Sequence, residues 1–360
     1  MSSQILLLPG DGVGAEVVGA ARQILEQASK IWGLDLAFST GLIGGSAIDA
    51  EGDPFPPATQ AACREADAVL LGAVGGPKWS DPSAPIRPEQ GLLKLRSEFD
   101  LFANLRPVQV FPALAEHAPL RADLLDDVDI LFVRELTSGI YFGTHTEENE
   151  QGEAHDVMTY RVSEVERIAR VAFEAARKRG GRVASVDKAN VLASMRLWRR
   201  TVERVAEDYS DVTLEHVLVD ACAMYLMQRP SQFDVILAPN CFGDILSDEA
   251  SILAGSLGML PSASIGSEPF GVYEPIHGSA PDIEGQGIAN PIATILSAAM
   301  LLRHSLGHEN AARGIEQAVE RTLSRGLRTA DIASPNSTPR TTEEFTEAVV
   351  DNLRGRSTPP

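Results

Sequence analysis

The chain has 360 residues, with 50 acidic against 31 basic side chains and a formal net charge of −19. Such a balance excludes the clustered Lys and Arg that nucleic acid or an anionic membrane surface demands. A hydrophobic content of 44% excludes a disordered chain, and the length predicts one large or two ordinary domains.

The first apolar run, Ile5–Leu8, starts so early that no signal or transit peptide is expected. Gly10, Gly12 and Ala15 then fit G-x-G-x-x-A. A dinucleotide fingerprint would also need an acid ending the next strand, but Asp35 stands before Leu36–Ser39. A tight strand-to-helix turn explains the glycines about as well. Val69–Ala73 predicts a third strand, and Gly75–Gln90 a long Pro-rich loop where open α/β sheets carry their sites. After the strand Ile130–Arg134, Tyr141–Arg161 has five acids and no Lys or Arg before Arg161. It predicts a protruding hairpin, either a solvated loop or an arm pairing with a second subunit. Glu164–Arg179 predicts a helix, with Val165, Ile168, Ala172, Ala175 and Ala176 on one face and Gly180-Gly181 as its stop. Arg182–Asp187, Leu214–Val219 and Val235–Ala238 complete the strand candidates, and the alternation is that of an α/β protein. Ile292–Leu302 is too short for a bilayer, which needs about 20 residues. Cys63, Cys222 and Cys241, odd in number and widely spaced, read as reduced thiols of a soluble cytoplasmic protein.

Chemistry concentrates at strand ends and adjoining loops. Arg96, Arg106 and Arg134 could clamp a dicarboxylic acid through bidentate pairs, although a single arginine is more simply a surface ion pair. Arg134 ends an apolar strand, a position that faces a cleft. Asp244 and Asp248, four apart, would repel on one helix face unless a cation sat between them. Oxygen ligands alone suit Mg²⁺ or Mn²⁺, with Asp220 as a possible third. Alternatively Asp244 caps the helix and Asp248 is solvated. Lys188, beside Asp187 at a strand end, could be a base and Tyr141 an acid; a surface cation and a core tyrosine are the plainer accounts. From Pro230 through Leu302 there is no Lys or Arg but eight acids. Within it Glu274–Pro291 predicts a long loop, either a solvated acidic segment or a dinucleotide site; in the second case Asp282 could bond the ribose hydroxyls, and the lack of cations favours NAD over NADP.

The motifs GDGVGAEV, RPEQGLLKLR, NLRPV, VRELTSGIYFG, DKANVL, FGDILSDEAS and EPIHGSAPDIEGQGIANPIATILSAAM resemble the isocitrate/isopropylmalate dehydrogenase family of β-decarboxylating dehydrogenases, in its isopropylmalate branch. The resemblance runs from about Ile5 to the region of Asn336. It implies a two-domain α/β fold with a large mixed sheet flanked by helices, not a Rossmann fold. Domain one would be 1–101 plus 255–360. Domain two would be 102–254, holding the dimer interface and the 141–161 arm. The implied reaction is oxidation of (2R,3S)-3-isopropylmalate by NAD⁺ and loss of CO₂, giving 4-methyl-2-oxopentanoate for leucine synthesis. By the same resemblance, Arg96, Arg106 and Arg134 bind substrate carboxylates, and Leu92, Leu93 and Val191 line the isopropyl pocket. Asp220, Asp244 and Asp248 hold Mg²⁺ or Mn²⁺, Lys188 is the base, and Tyr141 protonates the enolate. His277, Gly278, Ser279, Ala280, Asp282, Ile283 and Asn290 form the NAD loop, with Glu89 near the nicotinamide. The glycines after the first strand then line a turn. A homodimer is implied, in which Lys188, Val191 and Asp220 complete the partner's site. Sister enzymes acting on isocitrate, homoisocitrate or tartrate/malate are the rival reading, and Leu92-Leu93 disfavour the tricarboxylates. A non-catalytic regulatory subunit would lack some of Tyr141, Lys188 or the aspartates, and all are present.

Overall fold

A computed structural model describes residues 2–81, 84–118, 120–334 and 337–355. The chain divides into two compact units: residues 1–99, 111–118 and 254–360 form the first, and 100–110 and 119–253 the second.

The first unit begins with β1 (Ser3–Gly10), α1 (Gly14–Trp32), β2 (Leu36–Thr40), α2 (Gly45–Glu51), α3 (Pro57–Glu65), β3 (Ala68–Ala73) and α4 (Pro88–Glu98). The second unit comprises β4 (Ala103–Gln109), β5 (Asp129–Glu135), β6 (His145–Thr146), β7 (His155–Asp156), α5 (Val162–Arg177) and β8 (Arg182–Asp187). It continues through α6 (Ala193–Ala206), β9 (Thr213–Leu218), α7 (Val219–Gln228), β10 (Val235–Ala238) and α8 (Asn240–Ala250). The chain then returns to the first unit with β11 (Pro261–Ile265), β12 (Gly271–Pro275), α9 (Ile292–His304), α10 (Glu309–Ser324) and α11 (Thr342–Leu353).

In the first unit the strands run β2-β1-β3-β12-β11, parallel except for the β11/β12 pair. All six residues of β3 are buried, as a strand covered on both faces requires. α9 is buried at every position from Ile292 to Leu302, so the apolar run is a core helix. Among the described residues no helix is long and apolar enough to cross a membrane. Gly14 opens α1 directly against β1; a Cβ there would lie 2.0 Å from the Pro9 carbonyl oxygen. The buried Asp11 carboxylate accepts the N–H groups of Gly45, Ser46 and Gly75 at 2.8, 2.7 and 2.7 Å, tying the strand-end loops together.

In the second unit the order is β4-β5-β10-β8-β9, with only β4/β5 antiparallel. Each unit thus holds mixed strands flanked by helices, the α/β class expected. α5 starts two residues before the predicted helix and ends two before it. Its stop is Gly181 at φ +71°, whose N–H reaches the Ala176 carbonyl at 3.0 Å. Within Tyr141–Arg161, β6 and β7 pair antiparallel, His145 opposite Asp156.

Three strands, β4, β11 and β12, carry no apolar run and stand outside the predicted set. Glu274 therefore lies in β12 and not in the loop that was expected to start there. Asp220 sits in the first turn of α7, not at a strand end. The unit boundaries fall within two residues of 101 and 254, but residues 111–118 belong with the first unit. There the Arg328 guanidinium donates to the Ala113 carbonyl at 2.7 Å, and Leu114 is buried.

Candidate active site

The second unit gathers five of the expected residues around α8. Asn240, Asp244 and Asp248 recur every four residues, so they share one face of the helix. Two buried arginines lie along it. Arg106, on β4, is held by the Asn104 side-chain oxygen at 2.7 Å and donates to Ser247 Oγ at 2.7 Å, Asp248 Oδ1 at 3.1 Å and Asp244 Oδ1 at 3.2 Å. Arg134, on β5, donates from Nε and Nη2 to Asn240 Oδ1 at 3.1 and 2.7 Å, and from Nη1 to Asp244 Oδ1. Tyr141 OH donates to Asp244 Oδ2 at 3.1 Å. Asp244 is therefore one turn inside α8 and does not cap it. Burial, then the Asp244 charge, pushes the Tyr141 phenol well above its ordinary range, so it keeps its proton at neutral pH. Burial also raises Asp248, against the pull of Arg106.

The same unit holds Lys188 just after β8. Its ammonium donates to Asp220 Oδ1 at 2.7 Å, and this hydrogen bond is the largest influence lowering Asp220. The preceding Asp187 is fully buried; its carboxylate accepts the Ala189 N–H at 2.9 Å and a bidentate pair from Arg199 at 2.8 and 2.9 Å. The backbone around Lys188 is thereby fixed while its side chain stays accessible. Val191 is 63% exposed. Among the described residues of one chain, no three His, Cys, Asp or Glu side chains converge as a metal site. Two aspartates on one helix face are a hard, oxygen-only pair suited to Mg²⁺ or Mn²⁺, and a dication would keep Asp248 ionised despite its burial.

In the first unit, Arg96 lies buried on α4 and pairs with Glu274 of β12 at 3.0 Å. Its Nε is buried without a hydrogen-bond partner, a donor suited to a carboxylate. Leu92 and Leu93, one turn before it, are half-buried, and Glu89 in the first turn of α4 is exposed. Residues 276–291 form the expected loop beside a cavity of about 540 Å³. Five expected residues line it: His277, Gly278, Ala280, Ile283 and Asn290; Glu89, Ser279 and Asp282 do not. Val13, Leu257 and Ala289 supply apolar wall, and Asp331 a carboxylate. The His277 Nδ1 is 2.8 Å from the Gly278 carbonyl oxygen, its Nε2 is buried without a partner, and burial lowers its pKa. The ring is thus neutral, and with the proton on Nδ1 its buried Nε2 is an unmet acceptor on a residue that lines the cavity. Ser279 is buried, its carbonyl accepting the Val13 N–H at 2.9 Å. A Cβ on Gly12 would lie 2.0 Å from that carbonyl oxygen. The N-terminal glycines therefore make the turn on which the loop rests.

Asn104, Ser247, Asn240, Asp187, Glu274 and Asp331 escaped the sequence reading. Asn104 stands two before Arg106 and so shares its face of β4, a relation legible only once those residues are known to form a strand. Asp331 reveals itself only in three dimensions, accepting from the Asn290 amide at 3.0 Å.

A two-unit α/β fold with buried arginines facing paired aspartates, and a neutral-histidine loop elsewhere, is that of an oxidoreductase acting on carboxylated substrates. The chain belongs to the isocitrate/isopropylmalate dehydrogenase family, whose model matches residues 4–349. It is 57% identical over 357 residues to a 3-isopropylmalate dehydrogenase of Rhodopirellula baltica, covering 98% of this chain and 99% of the relative. With that of Bacillus subtilis it is 52% identical over 357 residues, covering 97% and 98%. Among solved structures, an isocitrate dehydrogenase from Methylococcus capsulatus superposes with a TM-score of 0.87 at 34% identity, covering 98% and 99% of the two chains.

Proposed function

We propose that this protein catalyses NAD-dependent oxidative decarboxylation of (2R,3S)-3-isopropylmalate to 4-methyl-2-oxopentanoate and CO₂, in leucine biosynthesis in the cytoplasm. The observation that carries the substrate is α4, which sets Leu92 and Leu93 one turn from Arg96 with its unpartnered Nε. That surface matches a carboxylate beside a branched alkyl group. Arg106 and Arg134 take the substrate's other carboxylate, held in direction by Asn104, Asn240 and the aspartates. NAD⁺ would be held along His277–Asn290, with Asp282 available to a ribose hydroxyl, and would supply the hydride acceptor. Asp244 and Asp248, with Asp220 of a second copy, would hold a Mg²⁺ or Mn²⁺ ion, which would supply positive charge for the developing alkoxide and enolate.

Lys188 removes the C2 hydroxyl proton as hydride leaves C2. The C3–carboxylate bond then breaks, its electrons forming the C2–C3 double bond of the enolate. Tyr141, which holds its proton at neutral pH, delivers it to C3. Lys188, Val191 and Asp220 act in the site of the partner in a homodimer. Support for that assembly is the exposed apolar surface of the second unit: Val191, Met224, Ile245 and Ile252.

NADH or NADPH production is measured with isopropylmalate, isocitrate, homoisocitrate, malate and tartrate, each with Mg²⁺ and NAD⁺ or NADP⁺ respectively. Isopropylmalate with NAD⁺ should be clearly fastest; any other winner overturns the assignment.

A further inference from the structure

Asn240 uses every polar group it has in a fixed sense. Its side chain is 0% exposed. Guanidinium groups only donate, so the amide oxygen must face Arg134, which it does at 3.1 Å from Nε and 2.7 Å from Nη2. The amide nitrogen then donates to the Ser138 carbonyl at 3.1 Å, and the backbone N–H of Asn240 donates to Tyr160 OH at 2.8 Å. Tyr160 is itself buried and packs edge-on against Trp198 at 5.3 Å between centroids. The chain of contacts runs from a rigid aromatic pair through Asn240 to the arginine.

The chemistry of the acceptor matters. The Nε–Nη2 edge of an arginine is the edge a carboxylate takes in a bidentate pair. Here a neutral amide oxygen takes it, which fixes the guanidinium plane without cancelling its charge. Arg134 already meets one carboxylate, Asp244; a second at position 240 would leave it little attraction for an anionic ligand.

We propose that Asn240 is a positioning residue: it aims the Arg134 guanidinium and, being neutral, preserves its positive charge for the substrate carboxylate. The proposal rests on the reading of Arg134 as a substrate arginine. A purely structural role at the first position of α8 predicts the opposite tolerance, because an aspartate is favoured at a helix N-terminus.

The test compares Asn240→Asp, Asn240→Ala, Asn240→Ser and Arg134→Gln in the whole enzyme, each checked for fold by circular dichroism. The KM for isopropylmalate should rise about tenfold or more in Asn240→Ala, the scale of a hydrogen bond to a charged group, and further in Asn240→Asp. The KM for NAD⁺ should stay unchanged in all of them. Should the Asp variant not accumulate folded, Asn240→Ser serves: its hydroxyl is too short to reach the guanidinium, and the same rise is expected. If Arg134→Gln raises the substrate KM while the folded Asn240 variants leave it unaltered, the positioning role is wrong. If Arg134→Gln leaves it unaltered, the substrate role of Arg134 falls, and this inference with it.

Discussion

Glu135, the residue after Arg134, points to the opposite side of β5 and is fully buried. Its carboxyl accepts the Thr137 N–H at 2.9 Å and the Ser138 N–H at 3.0 Å. Burial outweighs these bonds and the nearby Arg167, and pushes its pKa up from 4.5 to about 7. Below pH 4.5 the group is protonated in both the folded and the unfolded chain, and the folded state carries no ionisation penalty. Between 4.5 and about 7 the unfolded chain releases the proton first, so stability falls as pH rises; above about 7 the loss is complete. At about 1.4 kcal/mol per pH unit, the full loss is about 3 kcal/mol. Glu135→Gln removes the titration. Its amide oxygen can keep the Thr137 donor, but its NH₂ then faces the Ser138 N–H, at a pH-independent cost of about 1–3 kcal/mol. The sharp expectation is therefore the trend: the stability difference between variant and parent should move by about 3 kcal/mol in the variant's favour from pH 4.5 to pH 7.5. Urea unfolding followed by fluorescence of Trp198, buried in the same unit, measures it at each pH. A difference that stays flat across that range refutes the reasoning.

Lys188→Ala should abolish turnover while circular dichroism and mass in solution stay those of the parent; appreciable residual activity would remove Lys188 as the base. Gly14→Ala should yield protein destabilised by about 2 kcal/mol or more, or none in the soluble fraction, because the added Cβ would lie 2.0 Å from the Pro9 oxygen. A melting temperature equal to the parent's would contradict that close approach. Burial pushes the Cys63 and Cys222 thiols up to about 12, whereas Cys241 is partly exposed. An aromatic disulfide reagent at pH 8 should modify one thiol per native chain and three after denaturation, with Cys241 the one labelled first.

Much of the fold could be read from apolar runs: β10 has its expected bounds as four buried aliphatic residues, and β8 has its own because Val183, Ala184 and Val186 are buried between polar ends. β4 was invisible for the opposite reason. Its sequence ANLRPVQ buries Asn104 and Arg106, and nothing local tells a buried charged strand from a loop. The site followed the same divide. Arg134 and Lys188 announce themselves by standing at the ends of apolar strands. Asn240 and Glu274 do not, since their meaning lies in contacts with Arg134 and Arg96, 106 and 178 positions away. The resemblance supplied residue types and roles; it gave no hint that a neutral amide stands behind one arginine.

The interrupted path of the chain through its two units has a consequence for synthesis. β3 ends at residue 73, but its neighbour β12 begins only at residue 271. At about 5–20 residues per second, a ribosome spends roughly 10–40 s between them. Throughout that time one edge of β3, and the surface that α9 covers, await their partners, while β1 and α1 are already in hand. The second unit, complete at residue 253, has all its strands in hand before the first receives β11, β12 and α9. The second unit is therefore complete in synthesis first, and the unit bearing the 276–291 loop is the last to receive all its strands.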